Sequence, residues 1–362
     1  MKKIRVLIVD DSLFTRRLLT EILSQDPRIH VVGAAPDPLV ARSMVKRYEP
    51  DVLTLDINMP RMSGFDFLER LMRLRPTPVV MFASFGPDGA KEAILALSLG
   101  AVEVVAKPCS GTSIEWKDLV DELISKVKFA AAVQVQGKEC RATALRGARH
   151  SPSRGNVENR VVAIGASTGG VQAIHLILGG LPADSPPILI AQHMPPNFTS
   201  SFAHRLNAHS ALRVCEASDG EPVLQGHAYI APGNRHLLLE SKSDGYVCRV
   251  IEGADIGGHT PSVDELFKSV AATAGRSAMG IVLTGMGRDG THGLLKIREA
   301  GGVTVAQNKS SSLIYGMPKS ARDSGAAQYE ASLRQVPSLI LDGPARTTAI
   351  RAIEMVQTGE LR

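Results

Sequence analysis

Cysteine is scarce in this sequence, and the few cysteines that occur are far apart. The 362 residues include Cys109, Cys140, Cys215 and Cys248, and no two of them form a Cys-x-x-Cys pair. The sequence therefore predicts neither a zinc site nor a disulfide framework, and its cysteine usage suits a reducing compartment.

Long apolar runs are also missing. A helix that spans a bilayer needs about 20 consecutive apolar residues, and no run in this sequence approaches that length. Near the N-terminus, the apolar run Val6–Val9 ends at Asp10 and Asp11, long before the core of a signal peptide could form. The sequence predicts a cytoplasmic protein with no membrane insertion.

Charge of one sign is only in mild excess. Lys and Arg number 41 and Asp and Glu 36, a net charge of +5, and much of the excess lies between Lys138 and Arg160. That stretch is rich in Arg, Gly, Ser and Pro and has few large apolar residues, which predicts a flexible linker over 128–159. Aromatic residues do not interleave with its arginines, so no nucleic-acid partner is predicted.

Short apolar runs alternate with helical periodicity on both sides of this linker. In residues 1–127 the predicted strands are Ile4–Val9, Val31–Ala34, Val52–Leu55, Pro78–Phe82 and Val102–Val105. In residues 160–362 the predicted strands are Val161–Gly165, Ile188–Gln192, Ala228–Ile230, Ile281–Thr284 and Val303–Ala306, and the predicted helices include Val171–Leu178 and Pro261–Ala274. The alternation predicts an α/β chain of two domains, each with a mainly parallel sheet covered by helices.

Charged residues follow three of the predicted strands in the first half. Asp10 and Asp11 follow the first strand, Asp56 follows the third, and Lys107 follows the fifth. Ligands of parallel α/β sheets bind beyond the carboxyl ends of the strands. Three carboxylates gathered there would repel one another without a cation, and Mg²⁺ prefers such oxygen ligands. Taken singly, the same residues could cap a helix or form a turn.

This pattern resembles the receiver domain of two-component response regulators. The resemblance implies a flavodoxin-like (βα)5 fold in which Asp56 accepts a phosphoryl group from a histidine kinase. It also implies that Asp10, Asp11, Asp56 and the backbone carbonyl of Asn58 hold Mg²⁺, and that Lys107 contacts the phosphoryl oxygens.

Two positions depart from the receiver pattern. Ala83 stands where the family usually has Ser or Thr, with Ser84 one residue later, and Val104 stands where an aromatic switch residue is common. These departures put the usual hydroxyl-and-aromatic relay in doubt, but not the phosphorylation of Asp56.

In the second half, the apolar run from Val161 breaks into the glycine-rich turn GASTGG, which contains Ser167. A serine at the start of a helix lies near free N–H groups that favour negative charge. The turn could hold a catalytic serine or a phosphate, or Ser167 could cap its helix. It contains neither a dinucleotide-binding fingerprint nor a P-loop motif.

A histidine and an aspartate also follow predicted strands of the second half. His193 comes directly after Gln192, and Asp289 follows the strand that precedes Gly285. Ser167, His193 and Asp289 are the nucleophile, base and orienting acid that acyl transfer requires. Backbone N–H groups near Thr168 and Met286 are candidates for the oxyanion hole.

Several motifs then occur in the order found in the CheB-type chemotaxis methylesterases: GASTGG, QHMPPNFTSSFAHRL, APGNRHL, PSVDELF, LTGMGRDGTHGL and SSSLIYGMPKSA. The sequence resembles this family from the receiver to the last motif. The resemblance implies a protein-glutamate methylesterase that removes methyl groups from glutamate γ-methyl esters of methyl-accepting chemotaxis receptors, releases methanol, and also deamidates receptor glutamines. It places the catalytic triad on Ser167, His193 and Asp289 and implies no cofactor for the esterase chemistry.

The resemblance also implies regulation. The phosphodonor would be a histidine kinase of the CheA type, and the receiver would obstruct the catalytic cleft until Asp56 is phosphorylated. One departure is Asn308, where the family usually has Asp, and we expect it to affect loop packing or substrate preference rather than chemistry. His236, His259 and Asp264 are interpreted as structural hydrogen-bonding residues.

Two other functions are compatible with parts of the sequence. The second half could be a non-catalytic nucleotide- or metabolite-binding domain that uses GASTGG to hold a phosphate. A DNA-binding response regulator would instead carry a short helix-turn-helix module, and the strand-rich second half does not show that pattern.

Overall fold

The structure, a computed structural model, describes residues 3–83, 89–107, 116–133, 160–253, 259–345, 347 and 351–353. The chain divides into two units, Met1–Gly147 and Ala148–Arg362, and the division falls within the predicted linker. Most of that linker, 134–159, lies outside the described residues.

The N-terminal unit contains a five-stranded parallel sheet in the order β2-β1-β3-β4-β5. Its strands are β1 (Ile4–Val9), β2 (Ile29–Ala35), β3 (Val52–Leu55), β4 (Val79–Ala83) and β5 (Glu103–Ala106). Its helices are α1 (Leu13–Ser24), α2 (Pro38–Tyr48), α3 (Gly64–Leu74), α4 (Gly89–Leu99) and α5 (Trp116–Ala131). The predicted (βα)5 fold is confirmed, and α5 extends into the first residues of the predicted linker.

Short polar side chains begin the first two helices. The Ser12 hydroxyl accepts a hydrogen bond from the N–H of Thr15, and Asp37 accepts from the N–H groups of Leu39 and Val40. Such caps satisfy N–H groups that have no partner within the helix. They also fix where the chain turns after β1 and β2.

The C-terminal unit contains an eight-stranded sheet in the order β15-β14-β13-β12-β6-β7-β9-β8. Its strands are β6 (Val161–Ala166), β7 (Ile188–Gln192), β8 (Arg213–Glu216), β9 (His227–Ile230), β12 (Ala278–Val282), β13 (Val303–Gln307), β14 (Tyr329–Ala331) and β15 (Arg351–Ala352). The pairing is parallel except between β14 and β15. Strands β10 (His236–Lys242) and β11 (Gly245–Ile251) form a separate antiparallel hairpin.

The helices of this unit lie between its strands along the chain, as expected for a doubly wound fold. They are α6 (Gly170–Gly179), α7 (Pro196–Asn207), α8 (Val263–Ala274), α9 (Thr291–Glu299), α10 (Met317–Asp323) and α11 (Val336–Asp342), with a short 3-10 turn at Gly275–Ser277. Within the described residues, none of the helices combines the length and apolarity needed to cross a membrane.

The strand order places β6 at the centre of the sheet. After β6 the chain adds β7, β9 and β8 on one side and later returns to add β12, β13 and β14 on the other. The reversal creates a crevice at the carboxyl ends of β6 and β12, which is where doubly wound sheets bind their ligands. The GASTGG turn begins within the last residues of β6 and therefore lies at this crevice.

The sequence prediction was wrong at one strand near the site. The apolar run Ile281–Thr284 was predicted as a strand, but β12 is Ala278–Val282, and Leu283 and Thr284 lie beyond it. Both residues are buried. Both nevertheless stay hydrogen-bonded to the β6 segment, because the N–H of Leu283 donates to the carbonyl of Gly165 at 2.8 Å and the carbonyl of Thr284 accepts from the N–H of Ser167 at 3.0 Å.

Gly165 in β6 is in close contact with α8. A Cβ at this position would lie 2.0 Å from Cγ1 of Val263. We expect Gly165→Ala to destabilise the C-terminal unit by about 1–3 kcal/mol, because the added methyl group overpacks the core. Urea unfolding of the full chain measures the effect.

Gly179→Ala provides a matched control in α6, since the nearest atom to an added Cβ there is 3.9 Å away. A Gly165→Ala variant that is as stable as the Gly179→Ala variant would contradict the close packing of β6 on α8.

Candidate active site

The register of the sheet brings Ser167 and His193 to one edge. Ala166 of β6 is paired with Gln192 of β7, so Ser167 and His193 are the next residues of two neighbouring strands. The N–H of His193 donates to the carbonyl of Ala166 at 3.0 Å. The candidate nucleophile and base therefore leave the sheet side by side, as the sequence predicted for strand ends.

Asp289 reaches the same edge from the loop that follows β12. Its Oδ2 lies 2.8 Å from Nε2 of His193 and accepts a second hydrogen bond, at 2.8 Å, from the N–H of Val263. Its Oδ1 accepts from the N–H groups of Asp264 and Gly290, both at 2.9 Å. The structure thus brings the predicted base and the predicted orienting acid into direct contact.

The surroundings of Asp289 keep its carboxylate ionised. Burial alone would raise the pKa of Asp289, but hydrogen bonds from His193 and from the N–H groups of Val263 and Asp264 hold it below its ordinary value. These two N–H groups belong to the first turn of α8, whose dipole also favours a negative charge. Ser262, the N-cap of that helix, adds a hydrogen bond from its hydroxyl at 3.2 Å.

The contact with Asp289 defines the orientation of the His193 ring. An ionised carboxylate accepts hydrogen bonds only, so Nε2 carries the proton of the neutral imidazole and Nδ1 carries the free lone pair. Nδ1 is buried and has no hydrogen-bond partner among the described residues. Nδ1 is therefore the atom available to take the proton of a nucleophile.

The hydroxyl of Ser167 makes no hydrogen bond to His193 within the described part of the chain. Catalytic hydrogen bonds are commonly long before the substrate binds and tighten in the complex.

The ring of His259, interpreted from the sequence as structural, stacks on the ring of His193 with centroids 3.9 Å apart and an interplanar angle of 15°. This contact covers one face of the imidazole and limits its rotation.

The loop after β12 lies against the nucleophile turn. A Cβ at Gly285 would lie 2.7 Å from the Cβ of Ser167, so a glycine is required for this approach. The Thr284 hydroxyl donates to the carbonyl of Thr168 at 3.0 Å. In the described part of the chain, the N–H groups of Thr168 and Met286 donate to no acceptor. The two oxyanion-hole candidates predicted from the sequence thus have no competing hydrogen bond in this part of the chain.

Sequence reasoning missed Gln192 and Thr284, which hold the turns after β6 and β7 and the loop after β12 in place. Gln192 is buried, and its Nε2 donates to the carbonyls of Ser167 and His193. The available signal was a polar residue at the end of the apolar run Ile188–Ala191.

Asn308, where the family usually has Asp, accepts hydrogen bonds from Ser310 and Ser311 within its own loop.

A second site lies at the carboxyl edge of the N-terminal sheet. Asp10 and Asp56 follow the neighbouring strands β1 and β3, and Nζ of Lys107 lies 2.7 Å from Oδ2 of Asp10 and 2.9 Å from Oδ1 of Asp56. Carboxylate oxygens of Asp10, Asp11 and Asp56 all lie within 4.8 Å of one another. The structure therefore brings together the predicted acid cluster and the predicted lysine.

The charge of this cluster is only partly balanced. Burial raises the pKa of Asp56 even though Lys107 opposes the shift. Burial alone would lower the pKa of Lys107, but its hydrogen bonds to Asp10 and Asp56 raise it. The three carboxylates outnumber this ammonium, and hard oxygen ligands of this kind fit a divalent cation such as Mg²⁺.

The other predicted receiver residues lie around the cluster. Asn58 is exposed in the loop between β3 and α3. Gly64 holds that loop close, since a Cβ there would lie 1.9 Å from the carbonyl oxygen of Asp56. Ala83 ends β4, Ser84 lies outside the described residues, and the carbonyl of Val104 accepts a hydrogen bond from Lys126 at 2.7 Å.

Comparison with known proteins gives a match for each unit. Residues 162–340 match the family model described as CheB methylesterase, and residues 6–116 match the response regulator receiver domain. The crystal structure of the Thermotoga maritima CheB methylesterase catalytic domain is 38% identical, with a TM-score of 0.50, and the match covers 51% of this chain and 97% of that one.

Two full-length relatives are similar over nearly the whole chain. A Xanthomonas campestris pv. campestris protein named protein-glutamate methylesterase/protein-glutamine glutaminase 1 is 47% identical over 348 residues, covering 93% of this chain and 96% of its own. A Pectobacterium atrosepticum protein named protein-glutamate methylesterase/protein-glutamine glutaminase is 47% identical over 354 residues, covering 97% of this chain and 100% of its own.

The contact between His193 and Asp289 predicts the effect of Asp289→Asn. The amide nitrogen of an asparagine cannot accept a hydrogen bond, so the imidazole is no longer held with its proton on Nε2. We expect ester hydrolysis to slow by about 10,000-fold, the scale of the loss for this change in another Ser-His-Asp enzyme. Initial rates of ester hydrolysis by the purified full chain measure the effect.

Asp219→Asn is the control for this variant, because Asp219 pairs with Arg249 on the surface of the same unit. Equal rates for the two variants would show that Asp289 does not act through His193.

Proposed function

The chain belongs to the CheB methylesterase family, and we propose that it is a serine hydrolase that is activated by phosphorylation of its receiver domain. It hydrolyses glutamate γ-methyl esters of chemoreceptors, releases methanol and deamidates receptor glutamines, for chemotactic adaptation. The observation that carries the proposal is the 2.8 Å contact between His193 and Asp289, at the edge of the sheet where Ser167 also lies.

In the proposed mechanism, Oγ of Ser167 attacks the carbonyl carbon of the glutamyl side chain. Nδ1 of His193 takes the hydroxyl proton, and the ionised Asp289 stabilises the imidazolium that forms. The N–H groups of Thr168 and Met286 stabilise the negative charge that develops on the carbonyl oxygen. Loss of one such donor typically lowers the rate about 100- to 1,000-fold.

The tetrahedral intermediate collapses when the imidazolium returns its proton to the leaving group. A methyl ester then releases methanol, and a primary amide releases ammonia. Both substrates leave the same glutamyl ester on Ser167, which water hydrolyses with Nδ1 again as the base. A single site therefore accounts for esterase and glutaminase activity, and it needs no cofactor.

In the N-terminal unit, Asp56 is the proposed phosphoryl acceptor, and Lys107 the residue that contacts the phosphoryl oxygens. The residues that would hold Mg²⁺ are Asp10, Asp11, Asp56 and, through its backbone carbonyl, Asn58. When bound, the ion would neutralise negative charge on the phosphoryl oxygens. The proposed phosphodonor is a histidine kinase of the CheA type, acting with the chemoreceptors in the cytoplasm. The acid cluster, in which Asp10 and Asp56 are buried and Lys107 balances only part of the charge, supports this assignment.

The hydrolase assignment is tested with membranes that carry methylated chemoreceptors. We expect Ser167→Ala to abolish methanol release, because the variant has no nucleophile at the end of β6. Ser324→Ala is the control, since Ser324 follows α10 and its hydroxyl donates only to a nearby carbonyl. A phosphate-cradle role for GASTGG would be favoured instead if Ser167→Ala retained esterase activity and the chain bound nucleotide tightly.

Regulation is tested by adding a small-molecule phosphodonor and Mg²⁺ to the full chain. We expect methanol release to rise in the wild type and in Asp66→Asn, a surface control in α3, but not in Asp56→Asn. A change from 1% to 99% open would require about 5.5 kcal/mol of differential interaction, so partial activation is expected.

The 160–362 fragment provides a second measurement, because the resemblance implies that the receiver obstructs the cleft. We expect the fragment to be faster than the full chain without phosphodonor. Equal rates for the two would contradict autoinhibition and leave the hydrolase assignment intact.

A further inference from the structure

Gln192 connects the two turns that carry Ser167 and His193. It is the last residue of β7 and is buried, with only 3% of its surface exposed. Its side-chain Nε2 donates to the carbonyl oxygen of Ser167 at 2.9 Å and to that of His193 at 3.0 Å. One amide group thus crosslinks the backbones of the candidate nucleophile and the candidate base.

The chemistry of these contacts determines which end of the amide faces the two turns. Both partners are carbonyl oxygens, which accept but cannot donate, so only the NH₂ end of Gln192 satisfies them. The other end, Oε1, is buried and has no partner among the described residues. Buried polar atoms without partners are rare, which points to a role for the contacts that the NH₂ end makes.

Gly170 leaves the space that the amide needs. A Cβ at position 170 would lie 1.9 Å from Oε1 of Gln192 and 2.7 Å from the Cβ of Ala166. The N–H of Gly170 also donates to the carbonyl of Ser167 at 2.8 Å. The carbonyl of Ser167 is therefore held by two donors, one from the start of α6 and one from the end of β7.

Holding this carbonyl also fixes the next N–H group. The peptide bond between Ser167 and Thr168 is trans, and in a trans peptide the C=O and the N–H point in opposite directions. Because the carbonyl points toward Gln192, the N–H of Thr168 points away from it. That N–H has no acceptor in the described part of the chain.

We propose that Gln192 is a positioning residue for the hydrolase reaction, which orients the Thr168 N–H toward the oxyanion and holds the His193 turn beside Ser167. The inference rests on the proposed function and deepens it. Gln192 contacts no reacting atom. It acts through the two peptide groups that it binds, so its effect belongs to the transition state, in which the oxyanion forms, rather than to substrate binding.

The test compares Gln192→Met with wild type in the full chain, with methylated chemoreceptor membranes as substrate. Methionine has a similar length but cannot donate a hydrogen bond. Since removal of an oxyanion donor costs about 100- to 1,000-fold, a misoriented donor is expected to lower kcat by roughly 10- to 100-fold with KM unchanged.

Gly170→Ala is a second variant, which displaces the amide of Gln192 without changing Gln192 itself. We expect the same loss of kcat. In the double variant the two losses are expected to be less than additive, because both act on one contact.

Gln328→Met is the matched control for loss of a side-chain amide. Oε1 of Gln328 accepts a hydrogen bond at 3.0 Å from the N–H of Thr304, near the amino end of β13 and therefore at the opposite edge of the sheet. Thermal unfolding of all variants is followed in parallel. We expect Gln328→Met to lower stability but to leave kcat unchanged.

The inference is overturned if both Gln192→Met and Gly170→Ala retain the wild-type kcat, if their loss appears in KM instead, or if Gln328→Met lowers kcat equally. Ser167→Ala separates this result from a failure of the proposed function. Methanol release by Ser167→Ala would contradict the hydrolase assignment itself. An inactive Ser167→Ala beside a fully active Gln192→Met contradicts only the role of Gln192.

Discussion

Burying an ionised carboxylate is costly unless its oxygens are satisfied, and the C-terminal unit satisfies those of Asp289 with groups from three segments. The first turn of α8 provides two N–H groups, the start of α9 provides the N–H of Gly290, and the loop after β7 provides the His193 ring. The interaction that stabilises this buried charge is thus the same one that orients the imidazole. The Asp289 carboxylate thus joins, at one point, loops that are distant in sequence.

The positions of Ser167 and His193 could be predicted because short buried parallel strands appear in a sequence as apolar runs with polar residues at their ends. Asp289 was harder to place, since Leu283 and Thr284 continue the apolar pattern beyond the end of β12. Thr284 stays buried there because its N–H donates to Gln307 and its hydroxyl to Thr168 and Ile314. An apolar pattern indicates burial but does not mark the residue at which a strand ends.

Other features of the site depend on tertiary contacts and left little signal in the sequence. The choice of Nε2 rather than Nδ1 as the partner of Asp289 depends on the rotamer of His193, and the bridging amide of Gln192 depends on the space at Gly170. The hairpin of β10 and β11 was missed because its strands pair with each other and keep many exposed side chains. In the N-terminal unit, by contrast, the position of Lys107 near the acid cluster could be read from the strand ends, and its Nζ lies close to Asp10 and Asp56.

Because Ser167 and His193 directly follow paired residues of β6 and β7, the geometry of the site is tied to the register of the central sheet. A shift of one residue would turn either side chain to the opposite face. Separating the backbones of the two residues therefore requires opening the hydrogen-bonded core of the unit, which is among the last parts of a protein to exchange its amide protons.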